Sequence, residues 1–433
     1  MKYTITTLGC KVNQYETQAM ETILRQHGHV PTRPGERADA VIVNTCAVTA
    51  ESGRKSRQAL RKLTEENPFA VAAVCGCYSQ LSPEEVEELG ANVIFGTGDH
   101  EGFVSAIEKA ILTWDNYESR DDPFRRREFE RLPAGAVDGR TRAMLKIQDG
   151  CVNFCSYCII PYTRGRLRSL PVAEAAAETA RIASEGFKEI VLTGIEVASY
   201  GPDLEPNPET GRKPDLADVI RACSESAGDM RIRLGSIEPT VITRDFCERL
   251  RTAGKLCRHF HLSLQSGCDR TLKAMNRKYD TGRFYESCSL LREYFPGCAL
   301  TTDLITGFPG ETEEDFSQTL EFIRKCAFSA MHIFPYSRRP GTPADKMPDQ
   351  CTNAVKAERS ARAREVSLEM NRSFREESVG QVLPVLFETE ENGVCTGHSD
   401  TYLLVSVNGT GLRGQTLNVK ITGVTDEGLV GEL

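Results

Sequence analysis

The chain has 433 residues, of which 40% are hydrophobic and 26% charged, a composition typical of a soluble globular protein with two or three domains. The formal net charge of −8 argues against a protein that wraps nucleic acid through its overall charge, although a local basic surface remains compatible with it. No apolar run approaches the roughly 18 residues of a membrane span, and the N-terminus lacks the apolar core of a signal peptide, so we expect a cytoplasmic protein.

The first hundred residues alternate between strand-like and helix-like patterns. Gly28 is a typical stop for the first helix, and Pro68 closes the second. The order strand–helix–strand–helix–strand implies a parallel sheet with helices on its faces. The predicted strands are residues 2–9, 40–46 and 70–77, and the predicted helices are residues 13–28 and 51–68.

One cysteine lies at the end of each of these three predicted strands, namely Cys10, Cys46 and Cys77. The carboxyl ends of parallel strands meet at one edge of the sheet, where ligands bind. We therefore expect the three thiols to converge there as metal ligands. Cys75 points to the other face of its strand, because side chains alternate, and we expect it in the core.

Residues 115–136 are charged, hold proline and lack apolar periodicity, which predicts a linker. Six strand–helix units follow and predict a barrel or part of one, with its site at the carboxyl ends of the strands. After a long polar helix up to Gly380, short strands with Gly, Asn and Asp turns predict a small antiparallel β-barrel. The six predicted barrel strands are residues 142–148, 189–195, 231–237, 259–266, 298–307 and 330–337.

The stretch CVNFCSYC follows the first of these strands and places Cys151, Cys155 and Cys158 within eight positions. Three thiolates bind three irons of a four-iron cluster and leave the fourth iron without a protein ligand. A zinc site needs a fourth ligand, and the intervening residues supply none. The remaining cysteines are scattered, and we expect them to be small buried hydrophobes. They are Cys223, Cys247, Cys257, Cys268, Cys288, Cys298, Cys326, Cys351 and Cys395.

This CxxxCxxC segment after a first barrel strand resembles the radical S-adenosylmethionine (SAM) superfamily. The resemblance implies a 4Fe-4S cluster whose open iron binds SAM, so that the cofactors carry the radical chemistry and no side chain is catalytic in its own right. The SAM-binding segments of that superfamily resemble LTGIE, HLSLQSG and DLITGFPGET in this chain. The residues that this resemblance assigns to SAM are Tyr157, Gly194, Glu196, Ser263, Gln265, Ile305 and Gly307.

The whole chain resembles the methylthiotransferases, which combine an N-terminal three-cysteine domain, a radical SAM core and a C-terminal TRAM barrel. The resemblance implies an α/β fold with a Rossmann-like parallel sheet, a partial (β/α)6 barrel and a small antiparallel β-barrel. It also implies a second 4Fe-4S cluster on Cys10, Cys46 and Cys77, in agreement with their positions after the strands. The domains expected are residues 1–114, a linker over 115–136, the radical SAM core over 137–369 and the TRAM domain over 370–433.

The segments LGCKVNQYET and QDGCVNFCSYCIIPYTRGRLRS most resemble the branch that methylthiolates carbon-2 of threonylcarbamoyl-adenosine at tRNA position 37. The alternatives are isopentenyl-adenosine in tRNA, an aspartate of a ribosomal protein, and an iron–sulfur RNA-binding protein without turnover. The resemblance also implies an external electron donor of the flavodoxin or ferredoxin type. The protein is expected to be a monomer or a homodimer.

Contact with tRNA is expected from Arg164, Arg166 and Arg168 near the barrel mouth. A base in a single-stranded RNA loop suits such a site, since such a base is accessible to the protein. The predicted TRAM segment is rich in Asp and Glu, so its own contact with phosphates is expected to be small.

Overall fold

A computed structural model of the chain describes residues 1–133, 141–208 and 210–433. Its strands are β1 Lys2–Thr7, β2 Val30–Pro31, β3 Ala40–Thr45, β4 Val71–Gly76, β5 Val93–Phe95, β6 Tyr117–Ser119, β7 Arg142–Asp149, β8 Arg168–Ser169, β9 Glu189–Gly194, β10 Arg231–Leu234, β11 Ser236–Ile237, β12 His259–Gln265, β13 Ala299–Thr306, β14 Ala330–Pro335, β15 Val382–Glu391, β16 Val394–Ser399, β17 Leu404–Asn408, β18 Thr416–Val424 and β19 Leu429–Glu432. Its α-helices are α1 Lys11–Gln26, α2 Ala50–Glu66, α3 Cys77–Leu81, α4 Pro83–Glu87, α5 His100–Thr113, α6 Ile160–Arg164, α7 Val172–Ser184, α8 Leu216–Ser226, α9 Arg244–Arg251, α10 Asp269–Ala274, α11 Thr281–Tyr294, α12 Glu313–Cys326 and α13 Asn353–Glu377.

The N-terminal part is a six-stranded parallel sheet in the order β2-β1-β3-β4-β5-β6. Every residue of β3 and β4 is buried, because helices cover both faces of the sheet. One hydrophobic cluster contains residues of α1 and α5, and the other contains residues of α2 and α4. Cys75 lies in the first of these clusters, as predicted from strand alternation. The expected parallel α/β sheet is confirmed.

The segment expected to be a linker contributes to this fold in its described part. β6 adds the sixth strand to the sheet, and Phe129 is buried in the core of the next domain. The side chain of Glu130 lies 2.9 Å from Nδ1 of His100 at the start of α5. Residues 134–136, and with them the expected boundary at residue 137, lie outside the described residues.

The six predicted barrel strands are all present and form two adjoining sheets, β10-β9-β7-β8 and β11-β12-β13-β14. Only Gly235 separates β10 from β11, so the parallel strands β7, β9, β10, β11, β12, β13 and β14 follow one another in chain order, as expected of a partial barrel, while the short β8 pairs antiparallel on the outer side of β7. Along β12 the side chains alternate. Phe260, Leu262 and Leu264 pack in the helix-covered core, and His261 and Ser263 lie on the opposite, more accessible face.

The C-terminal strands close into a five-stranded barrel in the order β15-β16-β17-β19-β18, as predicted. This barrel packs on the amino ends of β10 and β12, where Arg231 and Arg233 donate to its backbone carbonyl groups. Arg231 bonds the carbonyl of His398 at 2.9 Å, and Arg233 bonds those of Ser399 and Asp400 at 3.1 and 3.0 Å. Within the described residues, no helix combines the length and the apolar character needed to cross a membrane.

Candidate active site

The first three cysteines lie where the sequence predicts, at the carboxyl edge of the N-terminal sheet. Cys10 immediately precedes α1, Cys46 immediately follows β3, and Cys77 begins α3 directly after β4. Burial raises the pKa of the Cys77 thiol to about 11, the guanidinium of Arg164 opposes the rise, and Cys46 and Cys10 add to it. A side-chain Cβ at Gly9 would lie 2.9 Å from Sγ of Cys46, so the loop before Cys10 runs directly over that sulfur. The three thiols therefore share one environment.

Neither cysteine trio, as far as the chain is described, brings its three sulfur atoms all within 4.8 Å of one another. Zn–S bonds of about 2.3 Å in tetrahedral geometry place two sulfurs about 3.8 Å apart. Two groups in the described part of the chain bring three ligand atoms within 4.8 Å of one another, and neither contains a cysteine. Wider spacing fits a cluster in which each thiolate binds its own iron. The two compact groups are His27, His29 and Glu108 at the surface, and His261, Asp303 and His332 on β12, β13 and β14.

The second trio lies on the loop that leaves β7. Burial raises the pKa of Cys151 and of Cys158 to about 12 each; Cys158 and Cys155 add to the shift of Cys151, and Cys155 adds to that of Cys158. Within the loop, Phe154 has a φ of +47°, and its carbonyl accepts a hydrogen bond of 2.9 Å from the side chain of Asn276. A left-handed residue turns the chain sharply, which allows closely spaced cysteines to point to one place.

The two trios face each other. α3, which begins at Cys77, packs against α6, which follows Cys158. Ile159 lies in the same hydrophobic cluster as Cys77. Burial and then Cys155 are the largest causes of the raised pKa of Cys158, and Cys77 of the other trio also contributes. Groups bound by the two trios would therefore lie across a short gap.

A buried arginine accompanies each trio, and sequence reasoning did not find this role. Nη2 of Arg164 lies 3.3 Å from Oδ1 of Asn13, which also accepts a 3.4 Å hydrogen bond from the thiol of Cys10. Nη1 of Arg277 lies 3.2 Å from Sγ of Cys155. A neighbouring cation favours the thiolate form of cysteine, which is the form that ligates metals. Arg164 thus partly offsets the effect of burial on Cys77, and Arg277 partly offsets it on Cys158.

Two of the three arginines predicted to contact RNA, Arg164 and Arg168, lie inside the protein. Arg164 is fully buried and pairs with Glu16, with Nη2 and Oε2 2.9 Å apart. Arg168 is also buried, lies 3.4 Å from the carboxylate of Asp149 and donates to backbone carbonyl groups. The reason is that acidic groups on α1 and β7 neutralise these guanidinium groups inside the protein. Only Arg166 is exposed.

These arginines belong to a buried ion network that joins the N-terminal sheet to the barrel. Nζ of Lys146 on β7 lies 3.3 Å from Oε1 of Glu16 on α1 and 3.2 Å from Oδ2 of Asp149. Burial opposes ionisation of Glu16, but Arg164 and Lys146 outweigh it and hold the pKa of this carboxyl below its usual range. The network fixes α1, and with it Cys10, against the strand that leads to Cys151.

Glu196 lies just beyond the end of β9 in a setting suited to a cation. Burial raises its pKa to about 7, and the nearby carboxylate of Glu238 adds to the rise. Its backbone N–H donates to the side chain of Gln148 at 2.8 Å. Gly194 packs so closely on the same residue that a Cβ would lie 2.8 Å from the Gln148 carbonyl oxygen. A carboxyl group in this setting is favourably placed to receive an ammonium group, because a cation stabilises its charged form.

The other residues assigned to SAM lie at the ends of β12 and β13 or on the cysteine loop. Gln265 has a φ of +69° at an irregularity in the β12–β13 pairing. Gly307 also has a φ of +69°, and its N–H donates to Glu311 at 2.7 Å. Ser263 and Ile305 are partly exposed on the inner face, and Tyr157 is partly buried beside the cluster that contains Phe308. The barrel thus brings all seven residues to the edge that carries Cys151.

Comparisons with known proteins agree with this arrangement. The Radical SAM superfamily matches residues 145–323, and the uncharacterized protein family UPF0004 matches residues 2–96. The solved structure of the radical S-adenosylmethionine methyltransferase TsrM from Kitasatospora setae, with cobalamin and a [4Fe-4S] cluster bound, covers 91% of this chain and 80% of its own. Its TM-score is 0.54 at 15% sequence identity, which shows a shared fold.

Curated relatives match nearly end to end. A Bacillus subtilis protein named threonylcarbamoyladenosine tRNA methylthiotransferase MtaB is 38% identical over 96% of this chain and 92% of its own length. A Pelotomaculum thermopropionicum protein named tRNA-2-methylthio-N(6)-dimethylallyladenosine synthase is 36% identical over 100% of this chain and 97% of its own length. With the cysteine trios, the barrel and the C-terminal β-barrel in the same order, the chain belongs to the radical SAM methylthiotransferase family.

Proposed function

We propose that this protein is a radical SAM enzyme that attaches a methylthio group to carbon-2 of threonylcarbamoyl-adenosine at position 37 of tRNA, beside the anticodon. The observation that carries the proposal is the facing arrangement of the two cysteine trios, with α3 packed on α6. Replacing hydrogen by sulfur at one carbon requires the hydrogen-removing group and the sulfur to reach that carbon together, and positioning of this kind supplies much of an enzyme's rate.

Cys151, Cys155 and Cys158 would hold the 4Fe-4S cluster that binds SAM, and Cys10, Cys46 and Cys77 would hold a second 4Fe-4S cluster. Three thiols at one edge of the sheet, three on one loop, and an arginine beside each trio fit such clusters. When bound, these cofactors supply the radical that removes hydrogen from an unactivated C–H bond and the methylthio group that takes its place.

The chain's own residues bind and orient. The carboxylate of Glu196 would accept the amino group of SAM, since burial and Glu238 leave it in need of a cation. Gly307 brings backbone close to the bound nucleoside, because it has no Cβ and adopts a left-handed φ. Ser263 and Gln265 would meet the ribose or carboxylate. Hydrogen abstraction by a radical needs no general base, so no side chain is assigned that role.

The partners follow from this activity. We propose tRNA as the macromolecular substrate, a flavodoxin- or ferredoxin-like electron donor, and a cytoplasmic location. Exposed Arg166 remains available to RNA near the barrel mouth. We keep the division into residues 1–114, 115–136, 137–369 and 370–433, because the first sheet, the partial barrel and the closed barrel each have their own hydrophobic cluster.

Mass spectrometry of tRNA nucleosides from a strain that lacks the gene tests the proposal. We expect the methylthio group to disappear from threonylcarbamoyl-adenosine and to return with the wild-type gene but not with Cys151→Ala. Persistence of the adduct in the deletion strain would contradict the proposed substrate. Loss from dimethylallyl-adenosine instead would assign the activity of the second group of relatives, and unchanged tRNA would direct attention to a protein substrate.

A further inference from the structure

A cavity of about 400 Å³ lies between all three folded units of the protein. The first turn of α1, the barrel strands β7, β9 and β10, and the C-terminal β-barrel all contribute to its wall. This volume is within the range of about 300–1,000 Å³ that is typical of small-molecule sites. Four cationic side chains and two carboxylates line it, so the cavity is positively charged on balance.

The cations of the cavity differ in how they are paired. Nε of Arg142 lies 3.0 Å and Nε of Arg233 2.8 Å from Oε1 of Glu189. The ammonium of Lys11, in contrast, makes no hydrogen bond or ion pair with any residue in the described ranges 1–133, 141–208 and 210–433. Lys11 is exposed, and its side chain lines the open side of the cavity. Lys11 therefore presents a positive charge to whatever enters the cavity.

Lys11 also has a defined place relative to the proposed chemistry. It follows Cys10 directly and opens α1, and Gln14 lies three residues further on the same side of the helix and lines the same cavity. One wall of the cavity is therefore adjacent to a proposed ligand of the second cluster. A substrate atom that reacts near Cys10 would have its neighbouring substituent close to Lys11.

In adenine, the carbon to be modified and the substituted amino group lie on the same side of the ring. Its C2 and C6 atoms are separated by a single ring nitrogen, so a group on N6 lies beside the carbon that is to be modified. The threonylcarbamoyl group ends in a carboxylate, whereas a dimethylallyl group is uncharged and apolar. A cation in the site favours the ligand that carries the matching anion, because only that ligand forms a charge-assisted hydrogen bond with it.

We propose that Lys11 binds the carboxylate of the threonylcarbamoyl group within this cavity and thereby selects that nucleoside over the dimethylallyl one. This inference rests on the proposed function. A phosphate of the RNA backbone offers the same negative charge, but it belongs to the outside of the nucleic acid, whereas Lys11 lines a recess between three folded units. Lys11 is thus a specificity residue rather than a catalytic one.

The test uses the reconstituted enzyme and one tRNA in two forms, with the threonylcarbamoyl carboxylate free or converted to the amide. For the wild type we expect affinity for the free carboxylate to exceed that for the amide about 10- to 100-fold, the size of a charge-assisted hydrogen bond. In Lys11→Met this ratio should fall to about one, with the loss appearing in KM rather than in kcat. In Lys11→Arg, which keeps the charge, much of the ratio should remain.

The outcomes separate the alternatives. Equal weakening of both tRNA forms by Lys11→Met would assign Lys11 to a phosphate and overturn the inference, as would an unchanged ratio. Equal losses in Lys11→Met and Lys11→Arg would point to disturbed ligation by Cys10 and would overturn it too. A wild-type enzyme that binds threonylcarbamoyl tRNA but never methylthiolates it would contradict the proposed function instead.

Discussion

The sharpest test of the architecture concerns Glu189, which lies fully buried where the barrel meets the C-terminal β-barrel. Burial opposes its ionisation, but Arg233 and the neighbouring Arg231 and Arg142 outweigh it and lower its pKa from 4.5 to about 2. At 1.36 kcal/mol per pH unit, this difference corresponds to about 3 kcal/mol of stabilisation at neutral pH. Replacement by Gln keeps the shape of the side chain and removes its charge. We therefore expect Glu189→Gln to lower the free energy of unfolding by about 3 kcal/mol, which is in the range for broken buried ion pairs.

The measurement is urea unfolding of the reconstituted protein, with Glu205→Gln, an exposed residue of the same barrel, as the matched control. The folded-state pKa is depressed, so the stabilisation is complete above about pH 4.5 and is lost as the pH falls through about 2. The difference between Glu189→Gln and wild type should therefore stay constant from about pH 6 to 8. If the free energy of unfolding of Glu189→Gln lay within about 1 kcal/mol of that of Glu205→Gln, the reasoning would be refuted.

Three further predictions concern the site. Cys77→Ala should lose about half of the iron of the reconstituted protein, whereas Cys75→Ala should keep it, and equal loss by elemental analysis would contradict the assignment of the trio. Glu196→Gln should weaken equilibrium binding of SAM about 10- to 100-fold, and wild-type binding should weaken below about pH 7, where the carboxyl protonates; binding independent of both changes would remove this residue from the site. Gly307→Ala should lower the free energy of unfolding by about 1 kcal/mol or more, because φ is +69° and the new Cβ would lie 2.5 Å from Cγ of Lys356; urea unfolding at wild-type stability would show that the strain is absent.

The sequence was sufficient where a local pattern determines position. Each of Cys10, Cys46 and Cys77 ends a strand, and in a parallel sheet this alone brings distant residues to one edge. The six barrel strands and the closed C-terminal barrel were likewise predictable from apolar runs and turn residues. β6 was missed because it has three residues, of which two are polar, and it becomes a strand only by pairing with β5.

Side-chain partners were not predictable, because sequence spacing does not show what faces a charge across the fold. Arg164 and Arg168 belong to a basic cluster in the sequence, and yet Glu16 and Asp149 neutralise them inside the protein. Lys11, in contrast, is an ordinary polar position in the sequence, but it lines a cavity and has no hydrogen bond or ion pair with the residues that the structure describes. Such errors are expected wherever two segments distant in sequence form a buried polar contact.

The first turns of α1 have a consequence for engineering hybrids between relatives. Within seven residues, this helix and its preceding residue contain the proposed cluster ligand Cys10, the proposed specificity residue Lys11, and Glu16, which joins the helix to the barrel. Grafting the N-terminal unit of a dimethylallyl-type enzyme onto this core would exchange all three at once. Such a chimera would need its own acidic match for Lys146 and Arg164 before its altered selectivity became observable, so this helix is the natural fusion boundary to vary residue by residue.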